Sequence, residues 1–390
     1  MALTGLSTRD PGALRALRRV LLRHGYAHAG IDPTVLTGTM YPRLPREREP
    51  ATPPATLLRL FHLNRALPRR QVEAALSPLR LETACQLGVV HLEGTKVYPQ
   101  VQIQTYRRLL FAVDVPARYA RSEDVVMSVA PSSIEVAQMT VRRRARQSLD
   151  LGTGCGIEAL LAAAHSGRVY AVDVNPRALE FARFNCLLNG IENVVAVKGN
   201  LCDPVRRQRF DLIVSNPPFV ISPFTHVTFR DAGMKGDERC VLMARSAARL
   251  LNEGGYFQMI YQWIQPPGED WREFLSRRFG NMGCDAHGYR ILVQDPETYV
   301  AEWTPLLYGG HPRKVERLQR DWLGYFQQHC AESIGTLLLT LCKREAARHF
   351  TRFEDAPEDR SKPYGERIAR KLRAITGRRL RTRGAVSDRG

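Results

Sequence analysis

Between residues 148 and 215 the chain repeats one unit. A short continuous apolar run ends in a polar turn and is followed by a segment of helical or loop character. The runs are Ser148–Leu151, Val169–Asp173, Val194–Lys198 and Asp211–Ser215. Continuous apolar runs suit strands covered on both faces, and strands joined through helices run parallel with right-handed crossovers. Phe257–Tyr261, Arg290–Gln294 and Thr336–Cys342 add three further runs. The pattern predicts an α/β protein with a Rossmann-like, doubly wound, seven-stranded sheet. One helix is marked at both ends: Asn175 as N-cap, Pro176 in the first turn and Gly190 as the stop, with Leu179, Ala182 and Cys186 facing inward. The last two strands are separated by an aromatic-rich insertion, 295–335.

A length of 390 residues suits two domains. Residues 1–36 read as helical, and five prolines in 42–54 predict a loop. Three helical segments then follow, around Leu57–Phe61, Gln71–Leu76 and Leu81–Leu87. A hairpin comes next, Val89–Leu92 and Val97–Val101 about Glu93-Gly94-Thr95. That order is a winged-helix pattern, which either binds nucleic acid or packs against a neighbouring domain. The expected organisation is a mostly helical, winged-helix-like N-terminal domain (1–115), a catalytic domain (120–345) and a basic, partly disordered tail (346–390).

Composition narrows the functional classes. Apolar content of 44% supports a real core and excludes a largely disordered chain. No apolar run approaches the roughly 18 residues of a spanning helix. The Arg-rich N-terminus lacks the apolar centre of a secretory signal; it reads as an amphipathic domain helix, with an organelle presequence as the other option. The eight cysteines form no CxxC pair, so reduced thiols are expected and a metal centre is not. His24 and His28 lie one turn apart without a third ligand nearby. The net charge is +18, from 57 basic and 39 acidic residues. Residues 361–390 hold ten basic and two acidic groups. Such a balance suits a polyanion such as RNA or the ribosome, or an Arg-rich proteome from a GC-rich genome. A cytoplasmic location is expected.

Four segments carry chemistry. The first run ends in Asp150-Leu151-Gly152-Thr153-Gly154-Cys155-Gly156. Glycines there permit a tight turn and close approach of a ligand to the peptide. Ile157 stands where a dinucleotide fingerprint has its last glycine, which favours a nucleoside cofactor without a pyrophosphate. Asp173, ending the second strand, is placed to accept two ribose hydroxyls; Asn200 and Leu201, after the third, are candidates for the edge and face of an adenine. After the fourth strand comes Asn216-Pro217-Pro218-Phe219. Two prolines fix the backbone. The Asn216 amide oxygen and Pro217 carbonyl can then accept both hydrogens of a planar –NH2 group, and Phe219 supplies a flat surface for it.

In this order and spacing, DLGTGCG, VYAVDVN and SNPPF resemble the class I S-adenosylmethionine-dependent methyltransferases over roughly residues 120–345. Within them the chain is similar to the small-domain amino-N-methyltransferases, which include release-factor glutamine, rRNA guanine and tRNA adenine enzymes. The resemblance implies S-adenosylmethionine as cofactor. Asp150, Gly152, Thr153, Gly154 and Gly156 would line its methionine part, Asp173 would hold the ribose, and Asn200–Leu201 would flank the adenine. Asn216, Pro217, Pro218 and Phe219 would hold the target nitrogen, with Asn216 also bordering the cofactor. Asn200 stands where the family often has Asp. Phe219 departs from the Tyr of the glutamine branch, and Val220 from the His that often follows in RNA branches.

Two further segments are read more loosely. Phe229–Asp237 is either a substrate-facing lid, with Arg230 and Lys235 near a polyanion, or a solvated loop; Met127–Met139 contains a helix starting at Pro131 and Ser132 that is either structural or closes over the cofactor. Arg142–Arg144 and Arg206–Arg209 are solvated faces or backbone-binding patches. The expected function is N-methylation of a planar amino or amide nitrogen on RNA or a ribosome-associated substrate. The alternatives are glutamine methylation of a protein such as a release factor, and a non-catalytic cofactor-binding regulator.

Overall fold

The expected alternation of strand and helix builds the core of the computed structural model, which describes residues 5–26, 50–119, 122, 124–224, 237–304, 312–357 and 363–384, the side chains of 312 and 376–384 excepted. The chain runs through α1 (Pro11–Arg23), α2 (Pro53–Leu57) with a π-helical turn (Leu58–His62), β1 (Leu67–Pro68), α3 (Arg69–Leu76), α4 (Leu81–Gln86), β2 (Val90–Glu93), β3 (Lys96–Pro99), β4 (Val101–Tyr106) and β5 (Leu109–Asp114). It continues with α5 (Pro131–Met139), β6 (Ala145–Leu151), α6 (Ile157–Ala163), β7 (Ser166–Asp173), α7 (Pro176–Asn189), β8 (Val194–Lys198), β9 (Phe210–Ser215) and α8 (Glu238–Leu250). The last elements are β10 (Leu251–Gln265), α9 (Trp271–Phe279), β11 (Cys284–Gln294), α10 (Pro296–Trp303), α11 (Pro312–Gln328), β12 (Ser333–Lys343), β13 (Thr351–Asp355) and α12 (Gly365–Gly384).

The central sheet has eight strands in the order β13-β11-β12-β10-β9-β6-β7-β8. β9 runs parallel to both β6 and β10, and β8 parallel to β7. β12 alone is reversed, antiparallel to β10 and β11. This is the α/β, doubly wound architecture that the sequence implies. Strand order turns back between β6 and β9, and such a switch point is where open α/β sheets bind ligands, beyond the carboxyl ends of the strands.

The expected seven strands become eight because β13 pairs in parallel with β11 from Ala286↔Thr351 to Arg290↔Asp355. The segment read as a tail therefore contributes to the fold. Its helix, α12, buries Ile368, Ala369 and Leu372 together with Tyr364 in a cluster with Val136, Met139 and Tyr289. Gly365 lies so close to α5 that an added Cβ would sit 2.1 Å from the Thr140 carbonyl oxygen. The helical register of the tail was legible, but its apolar face, Ile368, Ala369, Leu372 and Ile375 among the described residues, was outweighed by arginine.

Two compact units cluster within the chain, Met1–Ile134 with Gly152–Ala164 and Arg168–Asn200, and Glu135–Leu151 with His165–Gly167 and Leu201–Gly390. In the first, α2–α4 precede the β2–β3 hairpin as expected, and β1 adds a third strand beside β3. Pro53 and Pro54 sit in the first turn of α2, where a missing N–H costs nothing. His28 and most of the proline-rich loop lie outside the described residues. A second hairpin, β4–β5, turns through Arg107 and Arg108, both at positive φ (49° and 66°).

Helix α7 supports that hairpin with side-chain amides. Asn189 Oδ1 accepts from Leu110 N (3.0 Å) and Asn189 Nδ2 donates to Leu110 O (2.7 Å). One turn earlier, Asn185 makes the same exchange with Ala112, at 2.8 and 3.0 Å. Two asparagines at i, i+4 thus stand in for a neighbouring strand along β5. Asn185 Nδ2 also donates to the Cys155 carbonyl (2.8 Å). Asp114, ending β5, is fully buried and grips Arg177 of α7 through two bonds of 2.7 Å. Asn185→Ala would strand buried donors and acceptors at Ala112 and Cys155. The expected loss is about 2–4 kcal/mol, read as a lower midpoint in urea denaturation.

Candidate active site

The glycine turn and Asp173 lie within the first unit. Gly152, Gly154 and Gly156 all sit at left-handed φ (72°, 52° and 88°). Gly152 N and Thr153 N both donate to Val172 O (2.9 and 3.1 Å), and Gly156 N closes the turn on Thr153 O (2.7 Å). A Cβ added at Gly152 or Gly154 would meet nothing within 4 Å, so the turn presents bare backbone to an open space. At Gly156 the same Cβ would press on Ala182 of α7 at 3.2 Å; that glycine serves packing.

Gly154 N donates to Asp173 Oδ2, and Asn175 N to Asp173 Oδ1, both at 2.9 Å. The carboxylate is thereby aimed by backbone while its remaining lone pairs stay available. Burial raises the Asp173 pKa, against the pull of the amides of Asn175, Gly154 and Val174. Asn175 caps α7 as the sequence implies, its Oδ1 accepting from Arg177 N (2.9 Å). Gly199 N donates to the Asp173 carbonyl (3.0 Å), which brings the turn holding Asn200 to the end of β7. Asn200 is exposed, and Leu201, at φ 47°, is half-buried. Val174, 47% exposed beside Asp173, is an apolar residue that sequence reasoning missed.

β6, β9 and the Asn-Pro-Pro-Phe loop lie within the second unit. β6 and β9 end in register, Asp150↔Val214 and Leu151↔Ser215. Ser215 Oγ donates to Leu151 O (2.7 Å), tying the two strand ends together. Asp150 is buried there. The residues that leave this edge are Gly152 and Asn216. Pro217 is buried; Asn216, Pro218 and Phe219 are half-buried.

Beyond Phe219 the loop is held from both helices of the insertion. Ile221 N donates to Tyr299 Oη of α10 (3.0 Å), and Trp322 Nε1 of α11 donates to Ile221 O (2.9 Å). Tyr299 passes its own proton to Gln262 Oε1 (2.7 Å), and Gln262 Nε2 donates to Thr336 Oγ1 (3.0 Å). Trp303 stands against Phe219 with ring centroids 6.3 Å apart and planes at 80°. The sequence marked this insertion as aromatic but not which rings reach the loop. The polar stretch after the loop lies outside the described residues up to 236. Asp237 is buried, takes a hydrogen bond from Tyr261 Oη, and pairs with Arg278 at 3.1 Å. Tyr299→Phe removes the acceptor for Ile221 N and the donor to Gln262. A loss of about 1–3 kcal/mol is expected, with faster exchange of the Ile221 amide in hydrogen-exchange measurements.

Comparison with known proteins finds relatives over the segment that carries these residues. A methyltransferase small domain matches residues 130–293, and a domain of unknown function matches 38–100. A release factor glutamine methyltransferase of Xylella fastidiosa is 33% identical over 132 residues, 31% of this chain and 48% of its own. The ribosomal RNA small subunit methyltransferase C of Cronobacter sakazakii is 33% identical over 147 residues, 37% of this chain and 38% of its own. A tRNA1(Val) (adenine(37)-N6)-methyltransferase of Porphyromonas gingivalis is 34% identical over 123 residues, 29% of this chain and 48% of its own. The chain thus spans about half, or less, of the curated relatives it matches. S-adenosylmethionine is the methyl donor of that family. The matched segment 130–293 carries the glycine turn after β6, the acidic end to β7 and Asn-Pro-Pro-Phe after β9, the features on which the resemblance to the small-domain class I S-adenosylmethionine-dependent methyltransferases rests.

Proposed function

We propose that this protein transfers a methyl group from S-adenosylmethionine to a planar –NH2 nitrogen, on RNA or a ribosome-associated substrate. The observation that carries the reading is the shared ending of β6 and β9, from which the glycine turn and the Asn-Pro-Pro-Phe loop both depart. The open backbone at Gly152 and Gly154 and the aimed Asp173 carboxylate fit a nucleoside cofactor. In this reading Asp173 accepts the ribose hydroxyls. Val174 and Leu201 give apolar cover to the adenine, with Asn200 at its edge. Asp150, Thr153 and Gly156 complete the turn that holds the amino-acid end. When bound, the cofactor supplies an electrophilic methyl group. The chain's own residues orient the acceptor: Asn216 Oδ1 and the Pro217 carbonyl accept its two protons, which raises the nucleophilicity of the nitrogen, and Phe219 sets its plane. The carbon–sulfur bond of the donor breaks as the carbon–nitrogen bond forms, S-adenosylhomocysteine leaves, and the proton shed by the methylated nitrogen passes to solvent.

The substrate reading draws on charge. α12 turns its apolar face to the core and leaves Arg367, Arg370 and Arg373 exposed, in a chain of net charge +18. Relatives named as rRNA and tRNA methyltransferases support RNA. Those named as release factor glutamine methyltransferases support the alternative, since a glutamine amide offers the same flat –NH2. A cytosolic location belongs to this proposal. Incubation with methyl-labelled cofactor and an undermethylated lysate tests it. Label released by nuclease supports the main reading, and label released by protease the glutamine alternative. Stoichiometric cofactor binding without label in any fraction would make the protein a binder that does not turn over.

Asn216→Ala is expected to lower transfer by at least about a hundredfold while leaving the cofactor dissociation constant within about threefold. Full turnover in that variant refutes the acceptor mechanism. Asp173 must be ionised to accept two hydroxyl protons, and its pKa is raised by burial. Cofactor affinity should therefore weaken as pH falls, starting above the ordinary carboxylate value of about 4. In Asp173→Ala, calorimetry should find affinity lower by roughly ten- to a hundredfold and the pH dependence flattened.

A further inference from the structure

Phe219 does not stand alone at the acceptor loop. Trp303, the last residue of α10, has its ring plane at 80° to that of Phe219, with centroids 6.3 Å apart, and both rings are half-buried. Neither is loosely placed. The segment after Phe219 is fixed at Ile221 by Tyr299 and Trp322. Trp303 rests on Tyr299, with centroids 6.2 Å apart, and the Tyr299 hydroxyl is itself engaged by Gln262. The result is two flat apolar surfaces meeting at a right angle, held by the same hydrogen-bond chain that holds the loop.

A planar acceptor lying on one ring meets the other edge-on, and both arrangements are favourable between aromatic systems. An amino group on a purine or pyrimidine uses both walls. A glutamine amide has one small plane on a flexible stem and covers little of either. The other tryptophans do not offer such a surface: Trp263, Trp271 and Trp322 are 1%, 7% and 0% exposed. A base within a duplex cannot enter a corner of this kind, so the nucleotide must be unpaired or turned out of its helix.

We propose that Trp303 and Phe219 form a two-walled aromatic seat for an unpaired nucleobase, and that Trp303 is the residue that selects a base over an amide. The proposal rests on the methyl-transfer reading above and narrows its acceptor. Tryptophan fluorescence tests it directly on the full chain. A short single-stranded oligonucleotide is expected to quench the emission, and a glutamine-bearing peptide is not. Trp303→Phe should keep the affinity, because it keeps a wall, but lose the quench. Trp303→Ala should weaken oligonucleotide binding roughly tenfold or more. In transfer assays that loss should fall on KM for the nucleic acid rather than on kcat, with cofactor affinity unchanged. Digestion of the product should yield a methylated nucleoside. Wild-type affinity for the oligonucleotide in Trp303→Ala overturns the seat, as does quenching by the peptide alone. The two readings separate cleanly. Methyl transfer to RNA with an unaltered KM in Trp303→Ala removes the seat and leaves the transfer reading. A Trp303-dependent quench without any transfer supports the seat and removes the transfer reading.

Discussion

The parallel pairing of β6 with β9 is the contact on which the function depends. Their paired residues lie 64 positions apart in sequence, yet Leu151 and Ser215 end opposite each other and are tied by the Ser215 hydroxyl. A slip of one residue would turn every side chain of β9 to the opposite face of the sheet and shift the acceptor loop by about 3.3 Å along it. Burial prevents the slip: Leu149, Leu151, Leu212, Ile213 and Val214 are all within the core. Buried pairing and the Ser215 hydrogen bond together fix where the two strands end, at Leu151 and Ser215.

Polar side chains then hold the loops, and they come from elements remote in sequence. In one unit, α7 carries Asn175, Arg177, Asn185 and Asn189, which cap the helix, grip Asp114, pair with β5 and reach the Cys155 carbonyl. In the other, Tyr299 and Trp322 close on both backbone groups of Ile221. Such bonds contribute modestly when made and cost more when one partner is removed. They act as specification: a loop with its backbone groups already engaged has few alternative conformations. Preorganisation of this type is what a site needs when its chemistry consists of orienting a weak nucleophile.

Much of this was legible in the sequence for definite reasons. The apolar runs found seven of the eight central strands, and the cap, proline and glycine of α7 stand where expected. The glycine turn and Asp173 were placed together because few other roles suit three glycines in five residues followed by an acidic strand end. What stayed hidden has physical causes. The β4–β5 hairpin turns on Arg107-Arg108 at positive φ, where asparagine and glycine are the usual signal, so nothing in the residue types announced it. β13 is five residues of mixed polarity at a sheet edge, and its pairing with β11 depends on contacts that no local pattern encodes. Tyr299, Trp303 and Trp322 looked like an undifferentiated aromatic insertion, because a hydrogen bond that a tyrosine oxygen accepts from a backbone amide 78 residues away leaves no periodicity.

Asp173 shows how cost and function meet. If it served only to end a strand and start a helix, a more exposed carboxylate would be better, since burial disfavours its charge. Asn175 already caps α7, so no structural duty requires a charge at 173. Two amides hold the carboxylate at a fixed angle without offsetting its burial in full. A group left in that state is stabilised by whatever supplies further donors, and a vicinal diol supplies two at the spacing of the two carboxylate oxygens. In the proposed reading, an ionised Asp173 is costly for the protein alone and suited to a ribose. That difference is what functional sites retain and structural positions lose, because stability alone would favour replacing a buried, partly satisfied charge.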